Sequence, residues 1–179
     1  MSSIAILAAT PEVLRRRIIV GIGEFAVSDE PEALIVTHAL GSCVAVCLWD
    51  PIVKVAALVH VLLPDSRINP ERAHAQPAAF ADTGIPLLFR TAYEFGVQKA
   101  RCRVKLIGGA AVVAGGGGCP DGSASVGKRN VLAARNLLWR SGVLIEREAV
   151  GGSEARTVTL GVDDGRVQIT NGRELVQQL

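Results

Sequence analysis

Residues 43–49 and 55–63 read Cys-Val-Ala-Val-Cys-Leu-Trp and Val-Ala-Ala-Leu-Val-His-Val-Leu-Leu, with the turn signal Asp50-Pro51 between them. Both runs are apolar and rich in β-branched and aliphatic residues, and each has the length of a strand. Two such runs around a short turn are typical of a β-hairpin. The segment 43–63 is therefore predicted to form a hairpin of two apolar strands.

Further strands are predicted on both sides of this hairpin, at 18–22, 33–37, 104–113, 143–148, 156–162 and 166–170. Asp163-Asp164-Gly165 joins the last two as a second hairpin. One helix is predicted from a cap at Asp82 or Thr83 to Gly96, and another from about Arg129 to Arg140. The polar segment 67–76 is predicted to be a loop. Together these elements predict a single-domain α/β sandwich with mixed, largely antiparallel strands and two main helices.

The composition limits the possible functions. With 179 residues, 49% of them hydrophobic and 20% charged, the chain can bury a substantial core. A net charge of +2 without a basic stripe argues against nucleic acid as a partner. No apolar run approaches membrane-spanning length, and Arg15, Arg16 and Arg17 follow the short N-terminal apolar run instead of preceding it. We therefore expect a cytoplasmic protein whose four cysteines are free thiols.

The segment Gly41-Ser42-Cys43 is the first candidate for chemistry. A glycine beside a nucleophile lets the backbone turn sharply and bring its N–H groups close to a substrate carbonyl. A cysteine nucleophile needs a base, which is usually histidine, and the sequence offers His38, His60 and His74. A histidine neighbour is also expected to lower the pKa of the thiol.

The hairpin arithmetic favours His60 among the three histidines. If the turn is tight and centred on Pro51-Ile52, paired residues have numbers that sum to 103, and Cys43 lies opposite His60. A turn longer by one residue would instead put them on opposite faces. The alternative is structural, because buried cysteines usually pack and a lone histidine in an apolar strand is often a core residue.

Two other kinds of site remain open from the residues alone. Cys43, Cys47 and His60 would share a face and offer three metal ligands, although structural zinc sites usually contain Cys-x-x-Cys pairs. Residues 122–128 match the phosphate-loop pattern G-x-x-x-x-G-K. Arg129 follows, however, where that pattern needs a hydroxyl for Mg²⁺.

Several segments, taken in order, resemble the signature of the CheD family of chemoreceptor glutamine deamidases. They are Val20-Gly-Ile-Gly-Glu-Phe-Ala-Val27, Thr37-His-Ala-Leu-Gly-Ser-Cys-Val-Ala-Val-Cys-Leu-Trp-Asp-Pro51, Val59-His-Val-Leu-Leu-Pro-Asp-Ser66, Phe80-Ala-Asp-Thr83, Gly108-Gly-Ala110, Gly127-Lys-Arg-Asn-Val131 and Val150-Gly-Gly-Ser-Glu-Ala-Arg-Thr157. The resemblance implies a deamidase domain over 18–171, an N-terminal extension over 1–17 and a C-terminal tail over 172–179. His38, Ala111 and the glycine-rich loop 114–125 depart from the pattern.

The resemblance also implies an activity and the residues that carry it. Members deamidate specific glutamines of chemotaxis receptors to glutamate and release ammonia, which implies Cys43 as nucleophile, His60 as base and Thr37 as the residue that orients the imidazole. Backbone groups of Gly41 and Ser42 would contact the substrate, and neither a metal nor an organic cofactor is needed. The implied partners are the cytoplasmic helices of chemoreceptors and a CheC-like phosphatase. The competing hypothesis is a non-catalytic module that binds the receptor or the phosphatase.

Overall fold

The computed structural model describes residues 15–111, 125–172 and 174–179, which form two five-stranded sheets and a layer of helices. The strands are β1 Arg16–Ile19, β2 Phe25–Ser28, β3 Ala33–Leu40, β4 Val44–Asp50, β5 Val55–Val61, β6 Arg103–Gly108, β7 Ile145–Val150, β8 Arg156–Gly161, β9 Val167–Asn171 and β10 Glu174–Gln178. Sheet A has the order β1-β3-β8-β9-β10 and sheet B the order β2-β5-β4-β6-β7. Only β1 with β3 and β6 with β7 pair in parallel among these strands.

Three α-helices accompany the sheets in the described part of the chain: α1 Pro70–Ala75, α2 Ala81–Glu94 and α3 Val126–Arg140. The buried side chains of α2 and α3 pack with those of β4, β5 and β6 in one apolar cluster. The helices therefore cover the outer face of sheet B. The prediction of a single α/β domain with mixed, largely antiparallel strands and two main helices is confirmed, with α1 as a short addition.

Strand β4 separates two hydrophobic cores because its side chains alternate between the faces of sheet B. Val44, Val46 and Leu48 pack against the helices. Ala45 and Cys47, with Cys43 just before the strand, pack in the second core against residues of sheet A. The cysteine that precedes β4 is thus placed between the two sheets, at the end where the strand begins.

The predicted hairpin exists, but its predicted register is wrong. Ala45 lies opposite His60 and Asp50 opposite Val55, so paired numbers sum to 105 and not to 103. The turn contains four residues, 51–54, and Lys54 at its end has a positive φ of 51°. A shift of two residues in the sum preserves the alternation of the strands, so Cys43 and His60 still belong to the same face.

Several predicted boundaries also differ. Helix α2 begins at Ala81 with Phe80 at its N-cap, because Asp82 instead accepts hydrogen bonds from the backbone N–H and the hydroxyl of Ser66. Most of the predicted loop 67–76 is helical, and Asn69 caps α1 through a hydrogen bond from the Arg72 N–H. Strand β10 lies within the segment 172–179, which the sequence suggested was a tail. The first three residues of the phosphate-loop pattern, 122–124, lie outside the described residues, as does Cys119.

Candidate active site

His60 lies on β5 with its side chain fully buried and directed toward sheet A. Its Nδ1 is 2.7 Å from the hydroxyl oxygen of Thr37, which is also fully buried and belongs to β3. This contact joins the two sheets across the core. The structure therefore brings together two of the three residues that the family resemblance assigned to the catalytic group.

The hydrogen bonds of Thr37 determine which ring nitrogen of His60 carries the proton. The Thr37 hydroxyl donates its single hydrogen to the carbonyl oxygen of Val20, at 2.7 Å. It must therefore accept from His60, so Nδ1 is protonated and Nε2 carries the lone pair. Nε2 is buried and has no hydrogen-bond partner among the described residues. An imidazole in this form is ready to accept a proton at Nε2.

The backbone of His60 is fixed by the turn that precedes β2. The Gly23 N–H donates to the His60 carbonyl at 2.8 Å, and the His60 N–H donates to the Glu24 carbonyl at 2.9 Å. The same turn supplies the Val20 carbonyl that orients Thr37. The segment 20–24 thus fixes the positions of both His60 and Thr37, which explains why a motif begins at Val20.

Cys43 lies one residue before β4, on the same face of sheet B as Ala45 and therefore as His60. It is buried but retains 6% of its surface, whereas Cys47 retains 1%. Among the described contacts, no hydrogen bond joins its sulfur to His60. The two groups are diagonal neighbours in the sheet, and such contacts often tighten only when substrate binds.

The expectation that the thiol pKa is lowered does not hold in this structure. Burial raises the pKa of Cys43, an effect that its own backbone N–H opposes. Burial also lowers the pKa of His60 to about 4. The resting site therefore holds a neutral thiol and a neutral imidazole, because desolvation disfavours both ions.

The backbone around Cys43 leaves N–H groups free. Within the described chain, the N–H groups of Ser42 and Cys43 donate to no other group, whereas the carbonyls of Gly41 and Cys43 accept hydrogen bonds from the two residues after β6. Gly109 donates to the Cys43 carbonyl at 2.7 Å, and Ala110 donates to the Gly41 carbonyl at 2.9 Å. Unpaired backbone N–H groups beside a nucleophile can form an oxyanion hole, because they can donate hydrogen bonds to the oxygen on which negative charge develops.

The Gly108-Gly109 pair allows this close approach. Gly108 has a φ of 108°, and a Cβ there would lie 2.3 Å from the Cys43 carbonyl oxygen. Only glycine accommodates both this conformation and this contact. The strand predicted at 104–113 thus ends at Gly108, where the chain leaves the sheet beside Cys43.

Asn130 is a buried polar residue of this site that sequence reasoning did not single out. Its side chain has no exposed surface, and its Nδ2 donates to the Ser42 carbonyl at 3.0 Å and to the Leu62 carbonyl at 2.9 Å. The signal was present in the sequence, because Asn130 stands on the buried face of α3 among Gly127, Val131 and Ala134.

The other histidines lie outside this group. His38 is exposed, and its Nδ1 is 3.2 Å from the Thr157 hydroxyl. His74 is exposed on α1. Across residues 15–111, 125–172 and 174–179, no three histidine, cysteine or acidic side chains form a group suited to a metal ion. Nor does any helix in these ranges have the length and apolarity needed to cross a membrane.

Comparison with known proteins places the chain in a family. Residues 62–171 match the model described as CheD chemotactic sensory transduction. The chain belongs to the CheD family. It is 44% identical to the "Probable chemoreceptor glutamine deamidase CheD" of Syntrophotalea carbinolica, over 86% of this chain and 93% of that protein. It is 45% identical to the second such protein of Anaeromyxobacter dehalogenans, over 87% and 95%. The "Chemoreceptor glutamine deamidase CheD" of Thermotoga maritima is 36% identical over 84% and 89%.

Proposed function

We propose that this protein is a protein-glutamine amidohydrolase that deamidates specific glutamine side chains of chemotaxis receptors. Membership in the CheD family and the names of its relatives support the reaction and the substrate. The observation that carries the site is the buried Thr37–His60 hydrogen bond, which leaves a free Nε2 on the face that Cys43 shares. Cys43 is the proposed nucleophile, His60 the base and Thr37 the orienting residue.

The reaction has two stages, and no cofactor takes part in either. As His60 Nε2 takes the thiol proton, the sulfur bonds to the carbonyl carbon of the glutamine carboxamide and the π electrons move onto oxygen. The C–N bond then breaks, and the nitrogen leaves as ammonia with the proton that His60 returns, so that a thioester remains. Water, deprotonated by His60, attacks the thioester and releases glutamate and the thiol.

In this sequence of proton transfers His60 acts first as a base and then as an acid. A histidine with a pKa of about 4 is unprotonated at neutral pH, so its Nε2 can accept the proton of the Cys43 thiol. Its proton is held only transiently, so it is readily passed to the departing nitrogen. The free N–H groups of Ser42 and Cys43 are proposed to hold the oxyanion, and the Gly41 and Ser42 backbone to contact the substrate.

The setting of this activity is also proposed. A chemotaxis role places the protein in the cytoplasm, where the receptor's signalling helices are the substrate. A CheC-like phosphatase is the second proposed partner. A non-catalytic module that binds the receptor or the phosphatase is the competing function, and the ready base and free N–H groups favour the enzyme over it.

A mass measurement with one substitution tests the enzyme against the binding module. We expect wild-type protein to convert receptor glutamine to glutamate, a gain of about one dalton, and Cys43→Ser to bind the same receptor fragment without converting it, because a serine hydroxyl is a far weaker nucleophile at neutral pH. Cys47→Ser is the matched control, since Cys47 lies on the same face four residues away and should keep turnover. Conversion by Cys43→Ser at the wild-type rate would contradict the proposed nucleophile, and binding without conversion by all three proteins would favour the binding module.

A further inference from the structure

Asn130 bridges the two strands of the hairpin at the point where their pairing ends. The last pair of the β4–β5 ladder at this end is Val44 with Val61. Just beyond it, the two hydrogens of the Asn130 amide go to the carbonyl of Ser42, two residues before Val44, and to that of Leu62, which follows Val61. The side chain thus replaces a backbone rung, and it holds the strands at a fixed separation beside Cys43.

The bond to the Ser42 carbonyl also fixes the N–H of Cys43, because both groups belong to one peptide unit. All peptide bonds in the described residues are trans. In a trans peptide the C=O and N–H point in opposite directions, so a carbonyl held toward α3 directs the N–H away from α3. Cys43 itself lies on that other side, between the sheets.

The same hydrogen bond polarises the peptide. A donor at the carbonyl oxygen draws electron density toward that oxygen and makes the N–H at the other end a stronger donor. In the described part of the chain this N–H has no acceptor of its own. The Cys43 N–H therefore has a fixed direction, is polarised and has no acceptor. It belongs to the same residue as the sulfur that is proposed to attack the carbonyl.

We infer that Asn130 is a positioning residue that holds the Ser42–Cys43 peptide so that the Cys43 N–H receives the oxyanion. This inference rests on the proposed function. When the sulfur bonds to the carboxamide carbon, the carbonyl π electrons move onto oxygen, and the Cys43 N–H donates to that oxygen. Asn130 touches neither the substrate nor the sulfur, and it acts through the peptide unit alone.

The close approach of α3 to the end of β6 makes this arrangement possible. A Cβ on Gly127 would lie 2.6 Å from the Gly109 carbonyl oxygen, so only glycine lets the first turn of α3 reach the strand end. Asn130 follows one turn later and reaches both carbonyls with a short side chain. Burying an amide here costs free energy, which is offset in part because both of its N–H hydrogens are bound.

The test compares two reactions of Cys43, of which only one forms an oxyanion. Deamidation passes through a charged carbonyl oxygen, whereas iodoacetamide is attacked at a saturated carbon and needs no such donor. We expect Asn130→Leu to lower kcat for ammonia release from a receptor cytoplasmic fragment by about a hundredfold, the effect of losing one oxyanion donor. KM should stay at the wild-type value, and the iodoacetamide rate at Cys43, read by mass spectrometry, should fall far less than kcat. Asn136→Leu, on the exposed face of the same helix, is the matched control and should change neither rate.

The rates of the Asn130 variants either support or contradict the proposed positioning role of Asn130. A folded Asn130→Leu variant with wild-type kcat would overturn it, and so would an equal loss of alkylation and turnover, which would mean that Asn130 only holds the fold together. If the leucine variant does not fold, the isosteric Asn130→Asp decides, because it lacks the pair of N–H donors and should also lose at least about tenfold in kcat. A wild-type protein that releases no ammonia would contradict the proposed function and this inference with it, whereas wild-type turnover with unaffected variants would contradict only the role of Asn130.

Discussion

The two ends of the β4–β5 hairpin both bury polar side chains, but they satisfy them differently. At the turn end, the fully buried carboxylate of Asp50 accepts from the Ile52 N–H at 2.9 Å, from the Gln98 N–H at 3.0 Å and from Arg101 at 2.8–3.1 Å. At the open end, His60 Nε2 and Asn130 Oδ1 are buried without a partner among the described residues.

The difference separates structure from chemistry. A buried polar group costs free energy unless it is hydrogen-bonded. The hydrogen bonds of the Asp50 carboxylate at the turn end are therefore consistent with a role in stabilising the fold. Unpaired acceptors at the open end add nothing to stability, and they are retained at a cost. That cost is consistent with a site where a proton and a substrate must be received. Substitutions at the two ends should therefore separate activity from stability.

The largest expected effect is on turnover at the open end. His60→Ala should lower kcat by about a thousandfold, because the group that is proposed to take the thiol proton is lost. Thr37→Val should cost less, since the ring loses its fixed tautomer but keeps its position on β5. Thr37→Ser, which restores the hydroxyl, should recover most of the rate. Ammonia release under saturating substrate measures all three, and a Thr37→Val variant at full rate would remove Thr37 from the site.

The turn end should show the opposite behaviour, with a loss of stability and unchanged turnover. Arg101→Met removes the cation from the buried Asp50 and should lower the free energy of unfolding by about 3 kcal/mol. For a chain of this size that corresponds to a fall in Tm of roughly 6–12 °C. Thermal unfolding measures this effect. Arg90→Met, at an exposed position on α2, is the control. A large loss of kcat at temperatures where Arg101→Met is folded would break the proposed separation of the two ends.

The pKa of Asp50 indicates the same role. Burial alone raises it, but Arg101 and the N–H groups of Gln98 and Ile52 outweigh burial, and the pKa is lowered. A lowered pKa in the folded state means that the contribution of Asp50 to stability is present above the unfolded pKa near 3.9. It is lost as the pH falls through the folded value. The turn end is therefore sensitive only to strong acid.

Much of the hairpin was predictable, and the error in its register shows where sequence reasoning stops. The apolar runs and Asp50-Pro51 identified the strands, since local composition indicates which residues favour strands and which favour turns. Local composition does not determine the length of the turn. The tight turn assumed for Pro51-Ile52 is in fact four residues long and ends at Lys54 with positive φ. Because the sum changed by two and not by one, the shared face of Cys43 and His60 survived.

The parts of the candidate site that sequence reasoning missed depend on contacts between distant segments. Asn130 acts on carbonyls that are 88 and 68 residues away in the sequence, and no local pattern predicts that contact. The Val20 carbonyl, which fixes the Thr37 hydroxyl, is a backbone group and leaves no side-chain signal. The raised pKa of Cys43 follows from burial, which only the packed core determines.

The smallest expected effect concerns the pH dependence of stability at the open end. Burial lowers the pKa of His60 to about 4 in the folded protein, whereas an unfolded histidine titrates near 6.5. Between these values the unfolded chain binds a proton that the folded chain excludes, so stability rises with pH across this window. The contribution of neutral His60 is fully present above pH 6.5 and is lost as the pH falls toward 4.

Chemical denaturation at two pH values measures this linkage. Lowering the pH from 6.5 to 5.5 should remove about 1 kcal/mol from the free energy of unfolding of the wild-type protein, because the unfolded histidine is mostly protonated over this range. His60→Leu removes the titrating group and should flatten the dependence. His74→Gln is the matched control, since it removes an exposed histidine of α1 and should keep the wild-type slope. Equal slopes for wild type and His60→Leu would mean that His60 is not the buried neutral imidazole on which the comparison of the two ends depends. Asp50 does not interfere, because its lowered pKa places its own titration below this window.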